Sequence, residues 1–385
     1  MSEFTTRKIT DRAGTGAPSF TYGLNSGGSD SGLIGKAYTS SGTEPSSPAN
    51  GDLWYDSDND KLYYYVAGEF KQITHSNAVT KIDSGSRATI HGGWIGSASN
   101  TIEYFDIGTL GNASDFGDLT HGRYNHAGGS DGTTGFSIGG TNGSNRVYNI
   151  DRWTIATTAN ATDHGDLTNR PEYPASNCDG TIMVVCTGTN NSSTLINVLE
   201  RFTTASASNA SDHGDMTVAR EYNGGGISNG TIGTFQGGNT ASGTSNLIEQ
   251  VILATASNAT DFGDMTTAAL GCVGTSNHVR GVFSRPNGGT GSNVLEYITI
   301  ATAGNSTDFG DLSGPKWGPA ACANLDDRGV FCGGNDPYGN QGGSNAYRRK
   351  EIDYITISTT GNAADFGDLA AQVSNFVSGS SGAAS

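Results

Sequence analysis

"NASDFGDLT" occupies residues 112–120, and the chain returns to it five more times: "NATDHGDLT" from Asn160, "NASDHGDMT" from Asn209, "NATDFGDMT" from Asn258, "NSTDFGDLS" from Asn305 and "NAADFGDLA" from Asn362. The first Asp of each Asp-x-Gly-Asp falls at 115, 163, 212, 261, 308 and 365, which gives spacings of 48, 49, 49, 47 and 57 residues. No heptad-like apolar spacing accompanies the repeat, so helical repeats of this length are excluded. A period near 48 in a Gly-, Ser-, Thr- and Asn-rich chain lies in the range of propeller blades.

One period reads as four short strands, A to D. "GRYNHAGGSDG" (122–132), "TTGFSIGGTNGSN" (133–145), "RVYNIDRWTIATT" (146–158) and "NATDHGDLT" (160–168) each read as a short strand ended by a Gly, Asn or Asp turn. Strand C alternates apolar and polar residues, as a strand with one packed face does. The first unit has B ("RATIHGGWIG", 87–96), C ("NTIEYFDIGTL", 100–110) and D, but no convincing A before them. The tail "LAAQVSNFVSGSSGAAS" (369–385) has the length and pattern of a strand A. The expected fold is therefore all-β, a closed six-bladed propeller over residues 84–385 whose C-terminal strand completes the first blade. Such closure removes free sheet edges. The motif itself is expected to form the C–D turn and outer strand. Its Asn and Asp are expected to bond nearby backbone, its Gly to allow positive φ, and its Phe or His to form an aromatic plate between blades. Two carboxylates per turn are too few for a full calcium cage, so no metal site is assigned.

Composition narrows the function classes. The chain has 385 residues, 58 of them Gly, and a formal charge of −16. An acidic chain is a poor general partner for nucleic acid. No stretch is long and apolar enough for membrane insertion as a helix, and "MSEFTTRKIT" lacks the apolar core of a secretory signal. The five cysteines (178, 186, 272, 322 and 332) form no CxxC pair. Cys178 with Cys186, and Cys322 with Cys332, are placed to face one another across hairpins. The favoured reading is reduced, buried, small side chains.

The repeats resemble kelch-type propellers in Arg123, Arg170 and Arg220 near strand A and in Gly139-Gly140, Gly237-Gly238 and Gly333-Gly334 ending strand B. The Trp usual late in a kelch blade is absent. At the N-terminus, residues 1–41 read as an extended segment. Residues 42–80 read as a small three-stranded β meander: "DLWYD", "KLYYYV" and "FKQI". Ala13–Pro18 and the phrase from Pro45 to Asp56 (Pro-x-x-Pro-x-x-Gly-Asp-Leu-Trp-Tyr-Asp) resemble modules of tailed-bacteriophage tail fibre and other virion proteins. The resemblance implies a virion structural protein present in multiple copies, docked to other virion proteins through its N-terminal segment. The propeller would then project for host attachment as an adhesin, or serve as a decoration or connector piece.

No catalytic or cofactor-binding residues are assigned. The alternative from another class is a sialidase-like glycan-processing enzyme, since "SDFGDLT" resembles a sialidase Asp box. Here Ser directly abuts the Asp and the Trp is missing. Arg123, Arg170 and Arg220 suit a carboxylate clamp at a central channel, but structural bonds to strand-end carbonyls or a neighbouring Asp are the favoured reading. The B–C connections differ most between repeats and share one face with the D–A connections, where recognition usually sits. The longest, residues 335–351, carries the candidates Tyr338, Tyr347, Arg348, Arg349 and Lys350 for a partner protein or a host-surface glycan.

Overall fold

The computed structural model describes residues 9–10, 19–20, 38–58, 61–66, 68–72, 86–190, 192, 194–222, 224–286, 292–324, 327–336, 348–373 and 377–382. The chain divides into two compact units, Met1–Asn77 and Ala78–Ser385. Among the described residues every element is a strand.

In the first unit, Leu53–Asp56, Lys61–Val66 and Glu69–Gln72 form the expected antiparallel meander. Trp54 is buried and stacks on Tyr63 with ring centroids 4.9 Å apart. The meander is one strand larger than the sequence suggests. Tyr38–Ser41 joins it in parallel beside Leu53–Asp56, and the Trp54 indole N–H donates to the Ser41 carbonyl at 3.0 Å. Parallel pairing leaves no hairpin signature, so the sequence carries no local sign of it. A further pair, Ile9–Thr10 with Ser19–Phe20, is antiparallel.

The second unit holds six four-stranded antiparallel sheets, numbered 1 to 6 here. Sheet 2 shows the pattern: A is Ala127–Ser130, B Thr134–Ile138, C Asn149–Thr154 and D Thr162–Asp166. Sheets 3 to 6 repeat it, with A strands Ala175–Cys178, Gly224–Ser228, Val273–Ser276 and Ala320–Ala323. Sheet 1 takes B, C and D from Arg87–His91, Thr101–Asp106 and Ser114–Asp118, and its A strand is the C-terminal Ser378–Gly382. The A strands touch in the order 1–2–3–4–5–6 and then 1 again. Six apolar clusters follow the same order. Ile102, Phe116 and Leu119 of sheet 1 pack on Trp153 and Ile155 of sheet 2. Val330, Cys332 and Ile352 of sheet 6 pack on Ile90, Phe105 and Ile107 of sheet 1.

The repeated motif is what joins one sheet to the next. In every repeat the C–D ladder slips by one residue: Ile102 faces Gly117 and Glu103 faces Asp115, which leaves Phe116 as a bulge. The bulge residue is buried whether it is Phe (116, 262, 309, 366) or His (164, 213). The motif's Asn bonds not within its own turn, as expected, but to the preceding sheet. Asn160 Oδ1 accepts from the Asp118 N–H at 3.1 Å, Asn209 Oδ1 from Asp166 at 3.1 Å, and Asn258 Oδ1 from Asp215 at 3.0 Å. Asn305 and Asn362 do the same toward Asp264 and Asp311, and Asn112 accepts from Asp368 of the last repeat at 3.0 Å. The residue after each Asn adds a backbone bond to the same Asp, as in Ala161 N–H to Asp118 O at 2.7 Å.

The Gly of the motif lies at the same joint. Gly214 has φ of 142°, and a Cβ there would sit 2.4 Å from the Ser257 carbonyl oxygen of the next repeat. That backbone region is essentially closed to other residues. Gly214→Ala is expected to cost about 3 kcal/mol or more through strain and clash. A thermal melt of the variant that overlays the wild type would show that the joint tolerates a side chain.

Candidate functional site

The same latch is completed by a buried carboxylate on each strand C: Glu103, Asp151, Glu200, Glu249, Glu296 and Asp353. Each accepts from the residue that ends the preceding motif. The Thr120 N–H and hydroxyl both reach Asp151 at 2.8 Å, the Thr168 N–H reaches Glu200 at 2.7 Å, and the Ala370 N–H reaches Glu103 at 3.0 Å. Four of the carboxylates also meet a cation: Arg123 with Asp151 at 3.0 Å, Arg220 with Glu249 at 2.7 Å, Arg285 with Glu296 at 2.6 Å and Lys316 with Asp353 at 3.2 Å. Arg123 and Arg220 are thus tied into the sheets. Arg170 belongs to a different environment, exposed, with its guanidinium 4.6 Å from the Tyr148 ring centre. The structure therefore does not assemble these three arginines into a clamp.

The six A strands surround a cavity of about 90 Å³. Its walls are mainly Gly, Ala, Ser and Cys, and none of those three arginines lines it. Small residues are required because neighbouring backbones approach closely: a Cβ on Gly226 would lie 2.5 Å from the Gly274 carbonyl oxygen. Serine hydroxyls stitch adjacent A strands, Ser176 to Gly128 O at 2.8 Å and Ser380 to Gly129 O at 2.7 Å. All five cysteines are buried and none is in a disulfide. Cys178 pairs in register with Met183 and Cys186 with Ala175, so these two thiols are not opposite one another. Burial pushes the Cys186 and Cys272 thiols up to about 12, which makes them poor nucleophiles.

Beside the cavity, His91 Nδ1 and His126 Nε2 are 3.1 Å apart and buried. Burial, and then the Arg123 charge, lower His91 from the ordinary 6.5 to about 3. Burial also lowers His126 strongly, with His91 and Arg123 adding to it. The fold holds both rings neutral, whereas the unfolded chain protonates them near 6.5. The His91 contribution to stability is full above pH 6.5 and falls as pH drops toward 3, a slope of roughly 1.4 kcal/mol per pH unit in that window, and His126 acts in the same direction. A His91→Gln/His126→Gln variant is expected to show a flatter loss of urea midpoint between pH 6.5 and 4. Parallel profiles would disprove this account.

At one end of the cavity the D–A and B–C connections share one face, as expected, and in sheets 2, 4 and 6 they pair with each other. Tyr124 bridges Thr141 in sheet 2 and Trp317 bridges Asn335 in sheet 6. In sheet 4, Arg220–Glu221, Asn239–Thr240 and Gly243–Thr244 make a small sheet of their own. Five residues after each of the first five motifs the backbone turns left-handed: Asn125 (φ 54°), Tyr173 (60°), Tyr222 (57°), Gly271 (74°) and Gly318 (57°). Asn and Gly suit this conformation. Tyr does not, and each costs about 1–2 kcal/mol there.

The two tyrosines stack with ring centroids 3.6 Å apart, and Trp317 stacks on Tyr222 at 6.1 Å. The Trp317 indole donates to the Leu270 carbonyl of the adjacent connection at 3.3 Å. Burial raises both tyrosines' pKa, most for Tyr173, whose hydroxyl is also hydrogen-bonded to Tyr222. Glu172 and Glu221 immediately precede them. Glu172 accepts from Asn125 Nδ2 at 2.9 Å and pairs with Arg146 Nε at 3.1 Å. Burial raises the Glu221 carboxyl, opposed by a hydrogen bond with Asn239.

The basic trio of the last B–C connection does not form one patch. Arg349 is buried against Asp336 at 3.2 Å, while Lys350 is exposed and pairs with Asp368 at 2.9 Å. Arg348 bridges Asn335 and lies toward Gly96 of sheet 1. Successive strand residues face opposite sides, so neighbours in sequence separate in space. Tyr338 and Tyr347 lie outside the described residues. The aromatic stack was missed in the sequence because its members are 49 and 95 residues apart, although each occupies nearly the same offset from a motif. No protein-family model matches the chain, and no curated protein matches it.

Proposed function

We propose that the second unit is a closed six-bladed kelch-like β-propeller and that the chain is a bacteriophage virion protein, tail- or fibre-associated. Its D–A/B–C end is the recognition face. The closed reading is supported by the A-strand order that returns to sheet 1. The virion reading rests on the N-terminal phrases Ala13–Pro18 and Pro45–Asp56. The observation that carries the recognition role is the contrast between the two parts of each repeat. The latch is built alike in all six repeats, while the D–A/B–C end departs from symmetry in its side chains and keeps two strained tyrosines. Strain retained at one end of a rigid scaffold is a mark of binding sites.

The test uses antibody raised against the chain on purified phage particles, together with competition of phage adsorption by the purified chain. Labelled tails and blocked adsorption are expected. Labelled particles with unaffected adsorption would make the face a contact to another virion subunit. Unlabelled particles would end the virion reading.

A further inference from the structure

We propose that the Tyr173–Tyr222–Trp317 stack, flanked by Glu172, Glu221 and Arg146, binds a neutral pyranose sugar. The inference rests on the recognition-face reading and names its ligand class. Three aromatic rings, half-buried, run from the connection entering sheet 3 to the one entering sheet 6. The cavity lining includes Pro174 and Pro319, which follow Tyr173 and Gly318 in the chain, so the stack lies at one end of that cavity.

An apolar ring face with polar groups at its border matches a pyranose, whose C–H face is apolar and whose rim is hydroxyl. Carboxylates accept from sugar hydroxyls and Arg146 donates to them. Glu172 is held in place by Asn125 and Arg146, and Glu221 by Asn239, so the polar border is fixed before a ligand arrives. An anionic sugar is disfavoured by the two carboxylates and by the chain's net charge of −16. The two tyrosines sit where other repeats carry Asn or Gly, which fit the backbone better. The two departures in the costly direction stand side by side and stack on each other.

The experiment presents the full chain with neutral oligosaccharides of glucose, galactose and N-acetylglucosamine, and with sialyllactose as the anionic control. Saturation-transfer NMR and tryptophan fluorescence report binding. A neutral sugar is expected to bind and sialyllactose is not. Tyr222→Asn and Trp317→Ala are expected to weaken the bound sugar about tenfold or more. Tyr222→Asn should melt no lower than the wild type, because Asn accepts the left-handed backbone. Glu221→Gln is the second probe should Trp317→Ala fail to fold, and it too should weaken binding.

Absence of binding by every neutral sugar, tighter binding of sialyllactose, or wild-type affinity in these variants would overturn the proposal. Tagged particles and blocked adsorption without sugar binding would reject the ligand class while leaving the recognition reading intact. Sugar binding with unlabelled particles would do the reverse.

Discussion

Removing residues 377–385 is expected to abolish the cooperative fold of the second unit. Ser378–Gly382 supplies the A strand of sheet 1 and has five register partners, Arg87 to His91. Its hydroxyls also cross to sheet 2, Ser378 to His126 O and Ser380 to Gly129 O, both at 2.7 Å. Val377 packs in the cluster that joins sheets 6 and 1. Backbone bonds alone, at about 1 kcal/mol each, make a loss of roughly 5 kcal/mol. That is comparable with the whole stability of many domains. The deletion also bares the edge of Arg87–His91, which invites aggregation. Circular dichroism melts and size-exclusion chromatography check this, with a synthetic 374–385 peptide expected to restore part of the transition. A truncated chain that melts cooperatively at the wild-type temperature would show that sheet 1 does not need its C-terminal strand.

Arg220→Met is expected to destabilise by about 3–5 kcal/mol, the usual cost of stranding a buried charge. Arg220 and Glu249 are both fully buried and 2.7 Å apart, and the Arg220 guanidinium also donates to the Leu247 carbonyl at 3.1 Å. Glu249 still has the Thr217 N–H at 2.7 Å, so Glu249→Gln keeps an acceptor while removing the charge. The double variant Arg220→Met/Glu249→Gln is expected to recover about 1–3 kcal/mol of the loss. Additive effects of the two changes in urea unfolding would contradict a coupled pair. The protein contains its own comparison. Glu103 occupies the corresponding place in sheet 1, where Val373 stands at the position of Arg220. Its carboxyl is raised by burial despite backbone hydrogen bonds from Ala370 and Ala371.

Much of the architecture was legible because it is written in local periodicity. The 48-residue return of Asp-x-Gly-Asp located every D strand, and period-two alternation located every C strand. The missing A strand before Arg87 pointed to the tail, where Ser378–Gly382 is found. The parallel strand Tyr38–Ser41 escaped because its partner lies beyond an intervening stretch with no hairpin signal. The candidate residues were less legible. Arg348, Arg349 and Lys350 look like one patch in the chain, but strand geometry sends Arg349 to Asp336 and Lys350 to Asp368. Tyr173 and Tyr222 look like ordinary loop residues until their φ angles are known.

The amino-acid order alone settles that the chain is all-β, that one unit is written six times, and which residues are small, aromatic or acidic at each offset. Those properties are read from residue identities, from alternation within a strand and from the return of the motif at a period near 48 residues. Tertiary structure decides what the motif is for. Asn160 could have bonded within its own turn, and Thr120 could have faced solvent. They lock successive sheets instead, because each D strand has a neighbouring repeat's backbone within hydrogen-bonding reach. Packing six sheets side by side also brings nearly the same offset of different repeats together, which is why Tyr173, Tyr222 and Trp317 stack although they are 49 and 95 residues apart.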